Sequence, residues 1–329
     1  MPFAQPCQGE LQDFSIERVH AEYSLGEEVG AISEGRHSRD PLSILSHFYS
    51  VETKTNPMDP LFIVALLILG CVTGFAAGLL GIGGGMLLVP FLTLLLTWQK
   101  LSPELIVHTA IATSMASILF TSVSSVRAHN SKGAVRWDLV WALTPGILVG
   151  GLISGGAIFA ALKTGWLALF FAIFVGYSAF QMLRDKKPKA ARQMPGKGGA
   201  VAAGGTIGFV SGLVGAGGGF ISVPFMLWCN VPLHQAVGTS AALGFPIALA
   251  NTIGYVWSGW GKEGLPPEMI GYIYWPALLV LGSVSILLAP IGAKAAHKLP
   301  VKTLKRIFAY LLFGLTTYMA FKAYQSFFG

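Results

Sequence analysis

From Leu61 onward the chain is a succession of apolar stretches with almost no charge inside them. They cover residues 61–80, 85–97, 106–126, 138–162 and 166–183, then 199–215, 217–229, 234–257, 271–291 and 307–325. A helix needs about 20 apolar residues to cross a bilayer. In lipid every backbone N–H and C=O must find its partner inside the protein. The expected fold is therefore an all-α polytopic membrane protein of about ten transmembrane segments. Composition agrees: charged residues make up 11% of the 329, against about 25% in an ordinary soluble domain. That balance excludes a water-soluble enzyme and a disordered chain. Stretches 85–97 and 217–229 are short, and each holds a proline, Pro90 or Pro224. They are expected to form half-helices or broken spans.

Residues 1–57 differ from the rest. They carry a net charge of −5, lack a sustained apolar period, and read as an acidic, disordered tail. They contain no basic region followed by a compact apolar stretch, so no signal peptide is expected in them. Met58 stands just before Asp59-Pro60 and the first apolar stretch, which suggests a translation start at that position. Cys7, Cys71 and Cys229 lie far apart, so neither a disulfide framework nor a zinc site is expected. Cys71 and Cys229 read as small buried apolar residues.

Beyond the tail, the basic residues fall mainly in three places. Loop 127–136 holds Arg127, Lys132 and Arg136. Linker 184–198 holds Arg184, Lys186, Lys187, Lys189, Arg192 and Lys197. Loop 292–306 holds Lys294, Lys298, Lys302, Lys305 and Arg306. Only Lys100, Lys163, Lys262 and Lys322 lie elsewhere. Basic loops favour the cytoplasmic side, so membrane orientation explains this charge better than nucleic-acid binding. The expectation is a multi-pass protein of the cell (inner) membrane, with the basic loops inside and both termini outside. Trp98, Trp137, Trp166, Trp228, Trp257 and Trp260 sit near stretch ends, as an interfacial aromatic belt does.

The chain also repeats itself. Residues 78–92 read GLLGIGGGMLLVPFL and residues 212–226 read GLVGAGGGFISVPFM, identical at nine of fifteen positions. Residues 108–116, HTAIATSMA, recur as HQAVGTSAA at 234–242, identical at five of nine. The domains are then a first transmembrane repeat at 58–183, the basic linker at 184–198, and a second repeat at 199–329. Each repeat holds five apolar stretches. An odd number makes the second copy enter the membrane from the opposite side, which gives an inverted five-plus-five architecture with a site near the midplane. Four crossings per copy would make the repeats parallel instead.

Three motifs carry chemistry. Gly81, Gly83, Gly84 and Gly85 precede Pro90, and Gly215, Gly217, Gly218 and Gly219 precede Pro224 at the same spacing. Adjacent glycines break a helix. The helix that follows begins with unpaired N–H groups and the positive end of its dipole, which suits an anion. The alternative is that these glycines only allow close helix packing. Met86 and Phe220 stand where a dinucleotide fingerprint needs glycine, and no Walker lysine follows. Thr113-Ser114 and Thr239-Ser240 can donate hydroxyl hydrogen bonds to an anion, or can bond between helices. Ser117, Thr121, Asn251 and Thr252 are weaker candidates of the same kind. His108 and His234 hold equivalent positions and could carry a proton, or could cap an interface. No Asp or Glu lies centrally in a stretch, which argues against a carboxylate proton relay. No catalytic triad, metal cluster or haem motif is written in the chain, so neither enzymatic activity nor a cofactor is expected.

The repeated GxGGGxxxxP block followed by (A/G)TS resembles the TauE/SafE family of membrane transporters, often called sulfite exporters. The resemblance covers residues 60–329; the long tail departs from the family's usual short start. It implies movement of sulfur-containing anions such as sulfite, sulfoacetate or other organosulfonates. The expected partners are then a small anionic substrate and the lipid bilayer. The mechanism expected from the residues holds the anion on amides of Gly83–Gly85 and Gly217–Gly219 and on the four Thr and Ser hydroxyls, with the copies rocking about it. An anion channel and a non-transporting membrane scaffold are the rival readings. The sequence leaves open the coupling ion, the direction of transport and the oligomeric state.

Overall fold

The computed structural model describes residues 59–80, 84–184, 192–262, 264–295 and 301–328, all within the unit Thr55–Gly329. The acidic tail, Met58, Gly81 and Gly83 lie outside them. Ten helices longer than a single turn account for most of the described residues. They are α1 (Pro60–Leu80), α2 (Gly85–Trp98), α3 (Pro103–Asn130), α4 (Trp137–Ala161) and α5 (Thr164–Arg184) in the first half. The second half has α6 (Lys197–Val214), α7 (Gly219–Trp228), α8 (Leu233–Gly259), α9 (Trp275–Ala295) and α10 (Val301–Phe328). Each matches one apolar stretch of the sequence. Seven are long and apolar enough to cross a membrane: α1, α3, α4, α5, α8, α9 and α10. The short α2 and α7, and the Gly- and Ala-rich α6, fall outside that set. A two-residue antiparallel hairpin, Met269–Ile270 with Ile273–Tyr274, precedes α9.

Small residues decide which helices pair. Gly70, Gly74 and Gly78 of α1 lie in turn against Leu281, Ser285 and Ala289 of α9. Gly204, Gly208 and Gly212 of α6 lie in turn against Leu143, Ile147 and Ser154 of the α4 segment. At most of these positions a Cβ would run into the facing backbone, so glycine here lets two helix axes approach closely, as in membrane bundles. Both pairs are parallel, because residue numbers rise together along each contact. By the same test α3 is parallel to α9: Thr113 meets Tyr274, Phe120 meets Gly282, and Ser124 meets Ile286. Helices α4 and α8 are parallel too, through Arg136 with Thr239, Gly151 with Ala250, and Gly155 with Gly254.

Helices in equivalent places in the two halves run the opposite way to each other. Ala134, just past α3, packs on Gly238, while Ser122, further back, approaches Gly244. Numbers rise along one helix and fall along the other. In α5 and α10, Gly165 meets Ser326 and Gly176 meets Thr316, again antiparallel. It follows that the ends of α3, α5 and α9, together with the starts of α4, α6 and α10, gather at one end of the bundle. These ends border the three basic stretches of the sequence.

The outer surface is apolar. Phe120, Ile173, Leu279, Leu287 and Ile291 are exposed, and so are all six tryptophans of the expected belt. Polar side chains point inward instead: Thr113, Ser114, Ser154, Ser211, Ser222, Thr239, Ser240 and Asn251 are completely buried. This inversion of the soluble pattern is what a lipid solvent selects. Cys229 is buried as expected, whereas Cys71 is exposed. Cys71 lies on the outer face of α1, where an apolar surrounding rather than a packed core suits a thiol.

Candidate functional site

The two glycine blocks meet inside the bundle. Gly84 and Gly218 hold equivalent places as the N-caps of α2 and α7, with φ of 68° and 75°. Residues with a side chain rarely adopt this left-handed conformation, so both positions require glycine for backbone reasons. That separates them from the packing glycines of α1, α4, α6 and α9. Gly85 closes the contact: a Cβ there would strike the Gly215 carbonyl oxygen. The Ser114 hydroxyl donates to that same carbonyl at 3.1 Å. The first half is thus latched onto the second at the point where both helices break.

Beside this junction lies a pocket of about 10 Å³. Gly217 lines it from the second glycine block, and Ser240 from the second Thr-Ser pair. Thr121, Ser122 and Ser125 line it from α3, and Gly244 from α8. No charged side chain is among the lining residues. Ser240 receives a hydrogen bond from the Ser222 hydroxyl at 2.8 Å. The Ser125 hydroxyl is buried and has no hydrogen-bond partner among the described residues. So is the hydroxyl of Ser211, on α6 beside Gly218. Leaving a hydroxyl buried without a partner costs about 1–3 kcal/mol. Both hydroxyls lie near the start of α7, Ser125 in the pocket with Gly217 and Ser211 against Gly218.

The remaining expected residues divide. Thr113 and Thr239 are not aimed at this pocket in their accepting role. The Tyr274 amide donates to Thr113 Oγ1, and the Arg136 amide donates to Thr239 Oγ1, both at 3.0 Å. Each threonine therefore ties down the segment that opens the fourth helix of the opposite half. His108 is buried, with Nδ1 3.1 Å from the Glu104 carbonyl oxygen. Its Nε2 lies 3.0 Å from that of Leu162 and 3.2 Å from that of Phe159. It braces the turn between α4 and α5 against α3. His234, its sequence equivalent, is exposed in the first turn of α8. Ser117 Oγ donates back to the Ser114 carbonyl. Asn251 is buried in a network of its own. Its Nδ2 donates to the Ile247 carbonyl at 2.8 Å, and its Oδ1 accepts from Ser154 at 2.9 Å. Ser154 opens a π-helical turn, Ser154–Ile158, inside α4. The Thr252 hydroxyl is buried without a partner among the described residues.

Ser122 and Ser125 were not among the residues singled out in the sequence. A signal for Ser125 was there: Ser114, Ser117, Thr121 and Ser125 recur every three or four residues and share one helix face. Among the described residues no group of His, Cys, Asp or Glu could hold a metal ion.

The model of the sulfite exporter TauE/SafE family matches residues 66–319. The chain belongs to this family. Among its relatives, one from Haemophilus influenzae is 36% identical over 262 residues, 79% of this chain and 99% of the relative. Another, YdhB of Bacillus subtilis, is 27% identical over 257 residues, 74% of this chain and 93% of the relative. Both carry the name "Probable membrane transporter protein". No solved structure gives a significant match. Family membership and seven spanning-length apolar helices make the protein a multi-pass membrane protein.

Proposed function

We propose that this TauE/SafE member is a transporter of small sulfur-containing anions, such as sulfite, sulfoacetate or another organosulfonate, working by alternating access. The observation that carries the reading is the uncharged pocket beside the second glycine break. It combines glycine backbone just before a helix start with a buried serine hydroxyl that has no partner among the described residues. Helix-start amides and hydroxyls bind oxyanions without a fixed positive charge. Affinity is then modest, which permits release. The site comprises the two glycine blocks (Gly81, Gly83, Gly84 and Gly85; Gly215, Gly217, Gly218 and Gly219) with Ser114 and Ser240, to which Ser122 and Ser125 are added. Thr113 and Thr239 act from behind, by fixing the helices that carry the site.

The pocket volume of about 10 Å³ is near the lower limit for a single water. A sulfur oxyanion fits only when the two halves separate, so the alternating-access reading requires the junction to widen for transport. The opposed direction of equivalent helices supports two inverted repeats that rock against each other. Basic loops at one end of the bundle support a cytoplasmic location for that end in the inner membrane, with both termini outside.

The test is flux into proteoliposomes, comparing sulfite with sulfate, an organosulfonate and chloride. Saturable flux selective for a sulfur oxyanion is expected. Unsaturable flux would point to a channel. No flux of any anion through correctly folded protein would reduce the glycines to packing residues of a scaffold.

A further inference from the structure

A second cavity, of about 570 Å³, opens at the other end of the bundle. The start of α3, the turn between α4 and α5, the last turns of α10 and the segment after α8 surround it. On α3, α5 and α10 this is the end remote from the basic loops. Its walls carry Lys163, Lys262 and Lys322. These are three of the four basic residues beyond the tail that lie outside the basic loops. Segments on that side are normally depleted in lysine, so their convergence on one concave surface has a local cause.

We propose that this cavity binds a small oxyanion through the three ammonium groups. Lys262 is held in place: its Nζ lies 3.0 Å from the Tyr272 hydroxyl and 5.1 Å from the centre of that ring. Tyr272 is itself buried and stacks on His108 with ring centres 5.3 Å apart. The lysine head thus rests on a rigid wall. Thr164, Gln325 and Ser326 add uncharged hydrogen-bonding groups to the lining. Among the described residues Glu104 is the single carboxylate of the lining, and no ion pair joins it to any of the lysines. Three lysines against one glutamate leave the described lining with a net positive charge. A volume of this size suits a small-molecule ligand. A cleft lined by one sign of charge also raises the local concentration of the opposite ion. The use of the site as an antechamber that loads or collects the transported anion rests on the transport reading above; the binding itself does not.

Two sources can supply the oxyanion, a free anion in solution or the headgroup of an anionic lipid. Purified full-length protein in phosphatidylcholine nanodiscs is titrated with radiolabelled inorganic sulfate at low and high salt. The variants replace Lys163, Lys262 and Lys322 together by Gln, or together by Arg. In parallel, native mass spectrometry reads retention of phosphatidylglycerol. We expect the Gln variant to lose sulfate affinity by roughly tenfold or more. The Arg variant should stay within about threefold of wild type, and wild-type binding should weaken as the Debye length falls from about 30 Å to about 3 Å. Absence of sulfate binding combined with lysine-dependent retention of phosphatidylglycerol would support the same site with a lipid headgroup as ligand. Equal sulfate binding by wild type and the Gln variant, or lysine-independence of both ligands, would overturn the proposal. Flux through the central pocket is read separately in Ser125→Ala. A Ser125 variant that binds sulfate and transports at the wild-type rate would count against the central site and leave this one standing.

Discussion

The two cavities are built on opposite principles. The central one is small and uncharged, and glycine backbone of the second half and serine hydroxyls from both halves of the chain line it. The peripheral one is large and cationic, and lysines from three separate segments contribute to it. Charge is costly where water is excluded, because desolvation of a buried ion outweighs most of what its partner returns. At the mouth of the bundle water screens the charge, so its cost is small and its reach is long. The lesson is a division of labour: hydrogen-bond geometry can select an anion deep in the protein, while charge can gather it at the edge.

Substitutions can break or sharpen that contrast. Gly85→Leu should have the largest effect, because its side chain would enter the space of the Gly215 carbonyl where the halves touch. Loss of all flux is expected with the protein still inserted, and flux at the wild-type rate would show that the junction does not have to hold its shape. Ser125→Ala removes the hydroxyl without adding bulk to the pocket. Flux should fall about tenfold or more at every ionic strength, since a hydrogen bond to a charged group contributes about 1.5–3 kcal/mol. A loss that disappeared in high salt would mean that Ser125 acts through charge after all. Lys262→Gln should raise the half-saturating sulfite concentration about threefold at low ionic strength, and the effect should fade near physiological salt, where the Debye length is about 8 Å. Tyr272→Phe should do the same more weakly, about twofold, because it frees the Lys262 head without removing its charge. Transport assays at two salt concentrations separate all four.

A different kind of measurement addresses the network around the π-helical turn. Asn251→Ala removes the acceptor of Ser154 and the bond to the Ile247 carbonyl. It should lower stability by about 1–3 kcal/mol, read as a lower melting temperature in detergent. Replacement of the exposed His234 by Ala should leave that temperature unchanged.

Much of the helix layout was legible in the sequence. The ten apolar stretches lie within a few residues of ten helices, because a segment in lipid has little choice but to close its own hydrogen bonds. The glycine blocks were legible for a related reason: adjacent glycines at matched spacing in two copies mark where helices stop. The site was only partly legible. Thr113 and Thr239 read as ligands of an anion, and the fold uses them to anchor Tyr274 and Arg136 from the other half. His108 and His234 read as a pair, and one is buried among carbonyl oxygens while the other is exposed. The cluster of Lys163, Lys262 and Lys322 was read only as a remainder after the basic loops had been counted.

The sequence by itself determined the solvent, the helices, their breaks and the repetition, since each depends on residues near one another in the chain. Tertiary structure decided which serine faces the pocket, which glycine touches the other half, and which lysines share a cavity. Those outcomes depend on how α3 packs against α8, and on which helix ends gather at one side of the bundle. Contacts between segments more than a hundred residues apart, such as Ser114 with Gly215, are fixed by close packing of small residues across helices, and no local pattern encodes them.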